Sequence, residues 1–104
     1  MSQNNNTNYG TDSLNNNSGS NNTAFGAYSA YNTTDPSCNT AIGSNSLFFN
    51  TTGAHNTAVG AGSLCNNTTG SRNTAVGSSA LEGSTQNQTV GEKNVGIGAQ
   101  ALFN

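Results

Sequence analysis

The sequence is poor in the side chains from which globular domains build a core and a charged surface. Among its 104 residues, 31% are apolar and 6% are charged, and tryptophan is absent. An average domain is richer in both classes, and about 25% of its residues are charged. The net charge of −2 at pH 7 is too small to attract nucleic acid or an anionic membrane surface. The composition therefore predicts no nucleic-acid partner.

Long apolar runs and cysteine motifs are also missing. No run of 18 apolar residues is present, so no membrane insertion is expected. The first ten residues, MSQNNNTNYG, contain no basic region followed by an apolar stretch, so a secretory signal is absent or already removed. The two cysteines, Cys38 and Cys65, form no CxxC pair, which excludes the usual disulfide frameworks and zinc motifs.

Groups for catalysis and cofactor binding are equally sparse. The chain has one histidine and four acidic residues, and no Ser/His/Asp or paired-acid arrangement is recognisable. Cys38 and His55 occupy the same position of successive repeats, but two ligands are too few for a zinc site. The triplet Gly96-Ile97-Gly98 precedes no predicted helix and does not fit a phosphate loop. We therefore predict no enzyme activity, no catalytic residue, no cofactor and no metal.

What the sequence does contain is a short repeat, in which most units are sixteen or seventeen residues long. The units begin NTNYG, NTAFG, NTAIG, NTAVG, NTAVG and NVGIG, and only the fifth unit is clearly longer, by four residues. We predict one repeat domain over residues 1–104, with coils that start near residues 6, 22, 39, 56, 73 and 94. The longer fifth unit predicts a loop insertion within residues 82–93. Asp35-Pro36 predicts a turn in the second unit, because proline cannot donate to a strand ladder.

Apolar residues recur at the fourth and ninth positions of the unit, with glycine at the fifth. This spacing does not fit a helix, and a unit this short suits one coil of an all-β fold, a β-solenoid of about six coils. We predict a core ladder of Tyr9, Phe25, Ile42, Val59, Val76, Ile97, Leu14, Leu47, Leu64, Leu81 and Leu102. The predicted glycine corners are Gly10, Gly26, Gly43, Gly60, Gly77 and Gly98. The variable seventh position is expected to face solvent.

Stacked coils also explain the abundance of asparagine and threonine. Identical side chains lie above one another in a solenoid, so Asn and Thr columns can form hydrogen-bonded ladders, whereas charged columns would repel. The turns Asn32–Thr34, Asn50–Thr52 and Asn67–Thr69 are predicted ladder formers. They also contain N-x-[ST] sequons, so the sequence leaves glycosylation open.

The segments NTAVGAGSL (Asn56–Leu64) and NTAVGSSAL (Asn73–Leu81) resemble the head repeats of trimeric autotransporter adhesins, whose motif has the form S-V-A-I-G-x-x-[SA]. They are also similar to NTA[VI]G and NTTG repeats of phage tail fibres and of surface proteins of large viruses. The resemblance covers residues 6–104. It implies a left-handed parallel β-roll, three chains side by side, and adhesion or fibre building without catalysis. It also implies an extracellular location, on a cell or virion surface.

The two ends of the chain predict self-assembly. The eleven residues Asn94–Asn104 and the five residues Met1–Asn5 together equal one sixteen-residue unit. Unpaired strand edges invite addition of further strands, and head-to-tail contacts that do not close form open filaments. We therefore expect a structural subunit of an extracellular fibre. The alternatives are a homotrimeric adhesin or viral or phage fibre head that binds a surface receptor or glycan, and a protein that binds ice or mineral faces through threonine columns.

Two sets of residues are candidates for contact with partners. Exposed aromatic residues often mark interfaces. The candidate subunit contacts are Tyr28, Tyr31, Phe48 and Phe49, with Asn5 and Asn104 at the ends. The last position of the unit forms a second column, which is either a tolerant solvent-facing turn or a polar stripe for anionic glycans. Its members are Cys38, His55, Arg72 and Lys93.

Overall fold

The computed structural model describes residues 5–15, 19–32, 37–83 and 91–102. Over these residues the chain is all-β and contains no helix, and six short strands lie in sequence order in one parallel sheet. The strands are β1 (Thr7–Tyr9), β2 (Thr23–Phe25), β3 (Thr40–Ile42), β4 (Thr57–Val59), β5 (Thr74–Val76) and β6 (Val95–Ile97). The predicted β-solenoid is confirmed, and its left-handed sense stays a prediction.

The strand register follows the sequence repeat residue by residue. Ile42 pairs with Val59 and Val59 with Val76, so equivalent positions of successive units lie directly above one another. The register continues across the longer fifth unit, where Val76 pairs with Ile97. The four extra residues of the fifth unit therefore leave the strand register unchanged. The predicted loop lies mostly in residues 84–90, and Asp35-Pro36 lies in residues 33–36; both are outside the described residues.

Backbone hydrogen bonds join neighbouring coils well beyond the three-residue strands. In the third coil, Thr40 donates its N–H to the carbonyl of Asn56, and Leu47 donates to Ser63. The carbonyl of Ile42 accepts from Gly60 at 2.7 Å. Each coil thus satisfies the polar backbone of the next along most of its length, as a buried backbone requires.

The corners of each coil need backbone conformations with positive φ. The fifth position is glycine in every unit, with φ between 119° and 129°, a region almost closed to other residues. Side-chain-bearing residues occupy the left-handed region at the seventh, ninth and last positions, for example Asn45 (φ 62°), Leu47 (φ 51°) and His55 (φ 60°). The left-handed region costs an L-residue roughly 1–2 kcal/mol. The inter-coil hydrogen bonds and the buried core must offset this cost.

The fourth position was predicted to lie in the core, and for most of the column this is wrong. Its side chains point outward from the sheet, and five of them are exposed by 37% or more. These five are Tyr9, Phe25, Ile42, Val76 and Ile97, while Val59 is half-buried. Successive strand residues face opposite sides, so in each three-residue strand only the middle residue points inward. That residue is Ala24, Ala41, Ala58 or Ala75 in β2 to β5, and all four are fully buried.

The ninth position was assigned to the core correctly in the middle coils. Leu47 and Leu64 are completely buried and Leu81 is 4% exposed, and they pack with the inward alanines in one cluster. Leu14 is half-buried and Leu102 is 64% exposed, because both lie in the outermost described coils. The interior of so short a coil is narrow, so it is filled by alanine, serine and one leucine in each coil except the second, where Ala30 takes the place of the leucine.

Buried asparagines at the first position complete the interior. The Asn39 Oδ1 atom accepts the N–H of Asn56, and the Asn56 Oδ1 atom accepts the N–H of Asn73. The Nδ2 group of Asn56 turns back across its own coil and donates to the Gly70 carbonyl at 2.9 Å. The same bond to the next coil recurs from Asn6 to Asn94. The bond to the next coil and the bond within the same coil are both made by Asn6, Asn39, Asn56 and Asn73.

Candidate assembly surfaces

The outward residues at the fourth position form a continuous apolar column on the face of the sheet, which we call the apolar stripe. It consists of Tyr9, Phe25, Ile42, Val59, Val76 and Ile97. The second position is also outward and forms a parallel column of threonines that ends in Val95. No charged residue lies in any of the six strands. The sheet face is therefore neutral, and it is apolar along one side.

The edges of the sheet are a second candidate surface. In the part of the chain that the structure describes, β1 pairs only with β2 and β6 pairs only with β5. The ninth-position leucine at the β6 end is 64% exposed, whereas the same position is fully buried in Leu47 and Leu64. Within the stripe, Ile97 is 68% exposed and its neighbour Val76 only 37%. The outer coil at the β6 end therefore exposes surface that a further coil would cover.

The predicted aromatic contact residues do form a cluster. Tyr31 stacks on Phe48 with ring centroids 5.0 Å apart, and Tyr28 and Phe49 meet these rings from the edges at 5.6 and 4.7 Å. Tyr28 is 39% exposed, and the other three are half-buried. The ring packing joins the second and third coils. Asn5 is exposed beside the first coil, and Asn104 lies outside the described residues.

The last position of each unit forms an exposed column, as its alignment predicted. Cys38, His55, Arg72 and Lys93 all have φ between 60° and 62°. The N–H of each donates to a carbonyl in the preceding coil, for example from His55 to Ser37 at 3.1 Å. All four are exposed. Over the described residues, His, Cys, Asp and Glu form no group of three that could hold a metal ion.

The two cysteines are free and lie in different environments. Cys38 is exposed, whereas Cys65 is half-buried. Burial and the nearby carboxylate of Glu82 raise the pKa of the Cys65 thiol to about 11. Cys65 is therefore almost entirely protonated at neutral pH, which disfavours a role as a nucleophile.

The seventh-position column faces solvent in most coils, as predicted. Asp12, Tyr28, Asn45 and Gln100 are exposed, and the two remaining members are half-buried.

Among the described residues, no helix is long and apolar enough to span a bilayer. The surface therefore offers three features for contact with a partner: the apolar stripe, the sheet edges and the aromatic cluster.

Comparisons with known proteins identify no relative of this chain. No family model matches the chain, and neither a curated protein nor a solved structure is significantly similar to it. The resemblance to adhesin heads and fibre repeats therefore stays an expectation from the quoted segments alone.

Apart from the ninth position, the columns that face inward were not identified from the sequence pattern, although it contained a signal. The first position is asparagine in all six units, the third is alanine in four, and the eighth is serine or alanine throughout. Small size at the third and eighth positions marks the narrow interior. Ser46 and Ser63 are fully buried there, and each hydroxyl donates to the carbonyl of the glycine three residues earlier.

Proposed function

We propose that the protein is a structural subunit that assembles head to tail into a fibre of continuous β-solenoid. The observation that carries this proposal is the exposure at the β6 end. Leu102 occupies a position whose equivalents are fully buried in the middle coils, and β6 pairs with a strand on one side only. A strand edge that repeats the interior register is a template for another coil. The β1 edge of a second copy has the same register.

The chemistry at the two ends supports this contact. Stacking in register would place Thr7 beside Val95 and Tyr9 beside Ile97, as in the pairs within one chain. Both stripe residues are much more exposed than their neighbours, with Tyr9 at 78% and Phe25 at 41%. Such stacking lowers the exposure of apolar surface at both ends. The burial of apolar surface is the main favourable term in association. The contact is heterologous and does not close, so it propagates.

A charge placed on the end coil tests the proposal. Leu102→Lys introduces an ammonium that is solvated in a single subunit and buried without a partner in the stack. Gln100→Lys is the matched control, because Gln100 lies in the same coil, has similar positive φ and is on the outer surface. We expect the wild type and Gln100→Lys to form filaments in electron micrographs. Leu102→Lys is expected to remain a small particle in sedimentation velocity, with an unchanged circular dichroism spectrum.

Two results of this experiment contradict the proposal. Filaments of Leu102→Lys at the wild-type concentration would show that the end coil is not the contact. Wild-type protein that stays as small particles at millimolar concentration would show that the subunit does not polymerise. From the resemblance noted in the sequence, we propose that this fibre lies outside a cell, on a cell or virion surface.

A second candidate function is adhesion by a discrete homotrimer that binds a surface receptor or glycan. The aromatic cluster favours it, because Tyr28 presents an exposed ring beside the packed rings of Tyr31 and Phe48. Exposed tyrosine is enriched where proteins bind partners. The sedimentation experiment separates the two functions: a trimer of fixed mass, in both the wild type and Leu102→Lys, supports adhesion.

A further inference from the structure

The apolar stripe raises a question that end-to-end stacking leaves open. Ile42 and Val76 lie in the middle of the sheet and are still 38% and 37% exposed, although they have a coil on each side. Stacking another subunit on either end therefore does not cover them. A row of apolar side chains along a neutral face remains in water, and contiguous patches of this kind mark interaction sites.

The size of the sheet face limits what can cover it. Six coils at about 4.8 Å each and three strand residues at about 3.3 Å each give a face of roughly 29 by 10 Å, or about 300 Å². A stable protein interface needs about 800 Å² from each partner. Two single subunits joined through this face alone would therefore dissociate.

End-to-end stacking enlarges the sheet face that is available for contact. The inference rests on the proposed function here, because it requires a filament. In a filament, the stripe of one subunit continues from Ile97 to Tyr9 of the next copy, because both occupy the fourth position. Three stacked subunits then present about 900 Å² of one face, which exceeds what a stable interface requires. Linked contacts of this kind add their free energies, because the later contacts are intramolecular.

We propose that the stripe binds the same stripe on a second filament, so that filaments of this protein pair laterally once they contain several subunits. The occupant is a second copy because its stripe has a matching repeat and the same apolar chemistry. The charged residues of the described chain all lie outside the strands. They are Asp12, Arg72, Glu82, Glu92 and Lys93. Face-to-face pairing of the strands therefore buries no charged strand residue, which would otherwise be costly.

The proposal is tested by making the stripe more polar while keeping its residues β-branched. Ile42→Thr/Val76→Thr keeps β-branched residues in the strands, which suits their backbone. Ser44→Thr/Ser78→Thr is the matched control, since both serines are exposed, belong to the same coils and lie outside the strands. We expect paired filaments from the wild type and the control. The stripe variant is expected to form single filaments, with the paired fraction of filament length reduced at least tenfold in cryo-electron micrographs.

The other outcomes separate this inference from the proposed function. Pairing of the stripe variant at the wild-type level overturns the inference, as do wild-type filaments that are all single; in both cases the fibre proposal stands. Stable wild-type dimers without filaments, lost in the stripe variant, overturn both the fibre proposal and the requirement for several stacked subunits. Wild-type protein that neither polymerises nor pairs overturns both proposals.

Discussion

Replacing Gly60 with alanine is expected to destabilise the folded chain by at least about 3 kcal/mol, a large share of the roughly 5–15 kcal/mol available to a typical domain. Gly60 has a φ of 129°, and a Cβ atom there would lie 2.5 Å from the Gly77 carbonyl oxygen and 2.6 Å from its carbon. Both neighbours are backbone atoms of the next coil. The coils would have to separate at this corner, which lengthens the hydrogen bond from Gly77 to the Val59 carbonyl, now 2.7 Å.

Gly62 provides the matched control for this corner. It lies two residues away with a φ of 74°, and the nearest atom to an added Cβ is the Ser79 hydroxyl at 3.4 Å. Other coils carry Asn45 or Ser79 at this position with similar φ. Gly62→Ala is therefore expected to cost only the strain of the left-handed backbone, about 1–2 kcal/mol. Urea unfolding followed by circular dichroism measures both variants, and equal midpoints for Gly60→Ala and Gly62→Ala would contradict the close packing of the glycine corners.

Replacing Asn56 with alanine is expected to cost about 2–4 kcal/mol. The substitution leaves the N–H of Asn73 without the Asn56 Oδ1 acceptor, which now lies at 2.9 Å in a fully buried site. It also removes the bond from Asn56 to the Gly70 carbonyl, but that carbonyl keeps a second donor, Asn67 Nδ2, at 3.0 Å. The main cost is therefore that the N–H group of Asn73 is left buried and unsatisfied between the fourth and fifth coils.

Asn15→Ala is the corresponding control, because Asn15 is exposed and its side chain donates only to the Asp12 carboxylate at 3.0 Å among the bonds described. Its replacement is expected to change stability by less than about 0.5 kcal/mol. The free energies of unfolding of both variants follow from the same urea titration. A loss of less than about 1 kcal/mol for Asn56→Ala would show that the asparagine ladder contributes little to holding the coils together.

The fold was predictable because the repeat itself sets the register. So short a period, with glycine at one fixed position, leaves room for one coil per unit, and every strand pair then aligns the residues that the sequence aligns. The side of the sheet on which each column lies was not predictable in the same way. A three-residue strand such as Thr40–Ile42 shows too little alternation to separate an inward alanine from an inward isoleucine.

The size of the side chain decides which of these two residues points inward. The space inside the coil, which sets that size, is known only from the structure. Ala41 packs beside the buried Leu47 in a narrow interior, where the larger Ile42 side chain would not fit. Composition also could not distinguish the buried asparagines from the surface asparagines. Asn39 and Asn45 are close in sequence, yet one is 2% exposed in the ladder and the other faces solvent. Only their positions in the repeat separate them.

X-ray fibre diffraction from oriented wild-type protein tests the head-to-tail solenoid most directly. The proposed assembly predicts a meridional reflection at about 4.8 Å from the coil spacing and an axial subunit repeat of about 29 Å from six coils per chain. The longer of these two spacings is decisive, because it requires β6 of one copy to stack on β1 of the next without a gap. A reflection at about 4.8 Å with no such subunit repeat, or protein that yields no oriented fibres and remains as small particles, would contradict the proposed assembly.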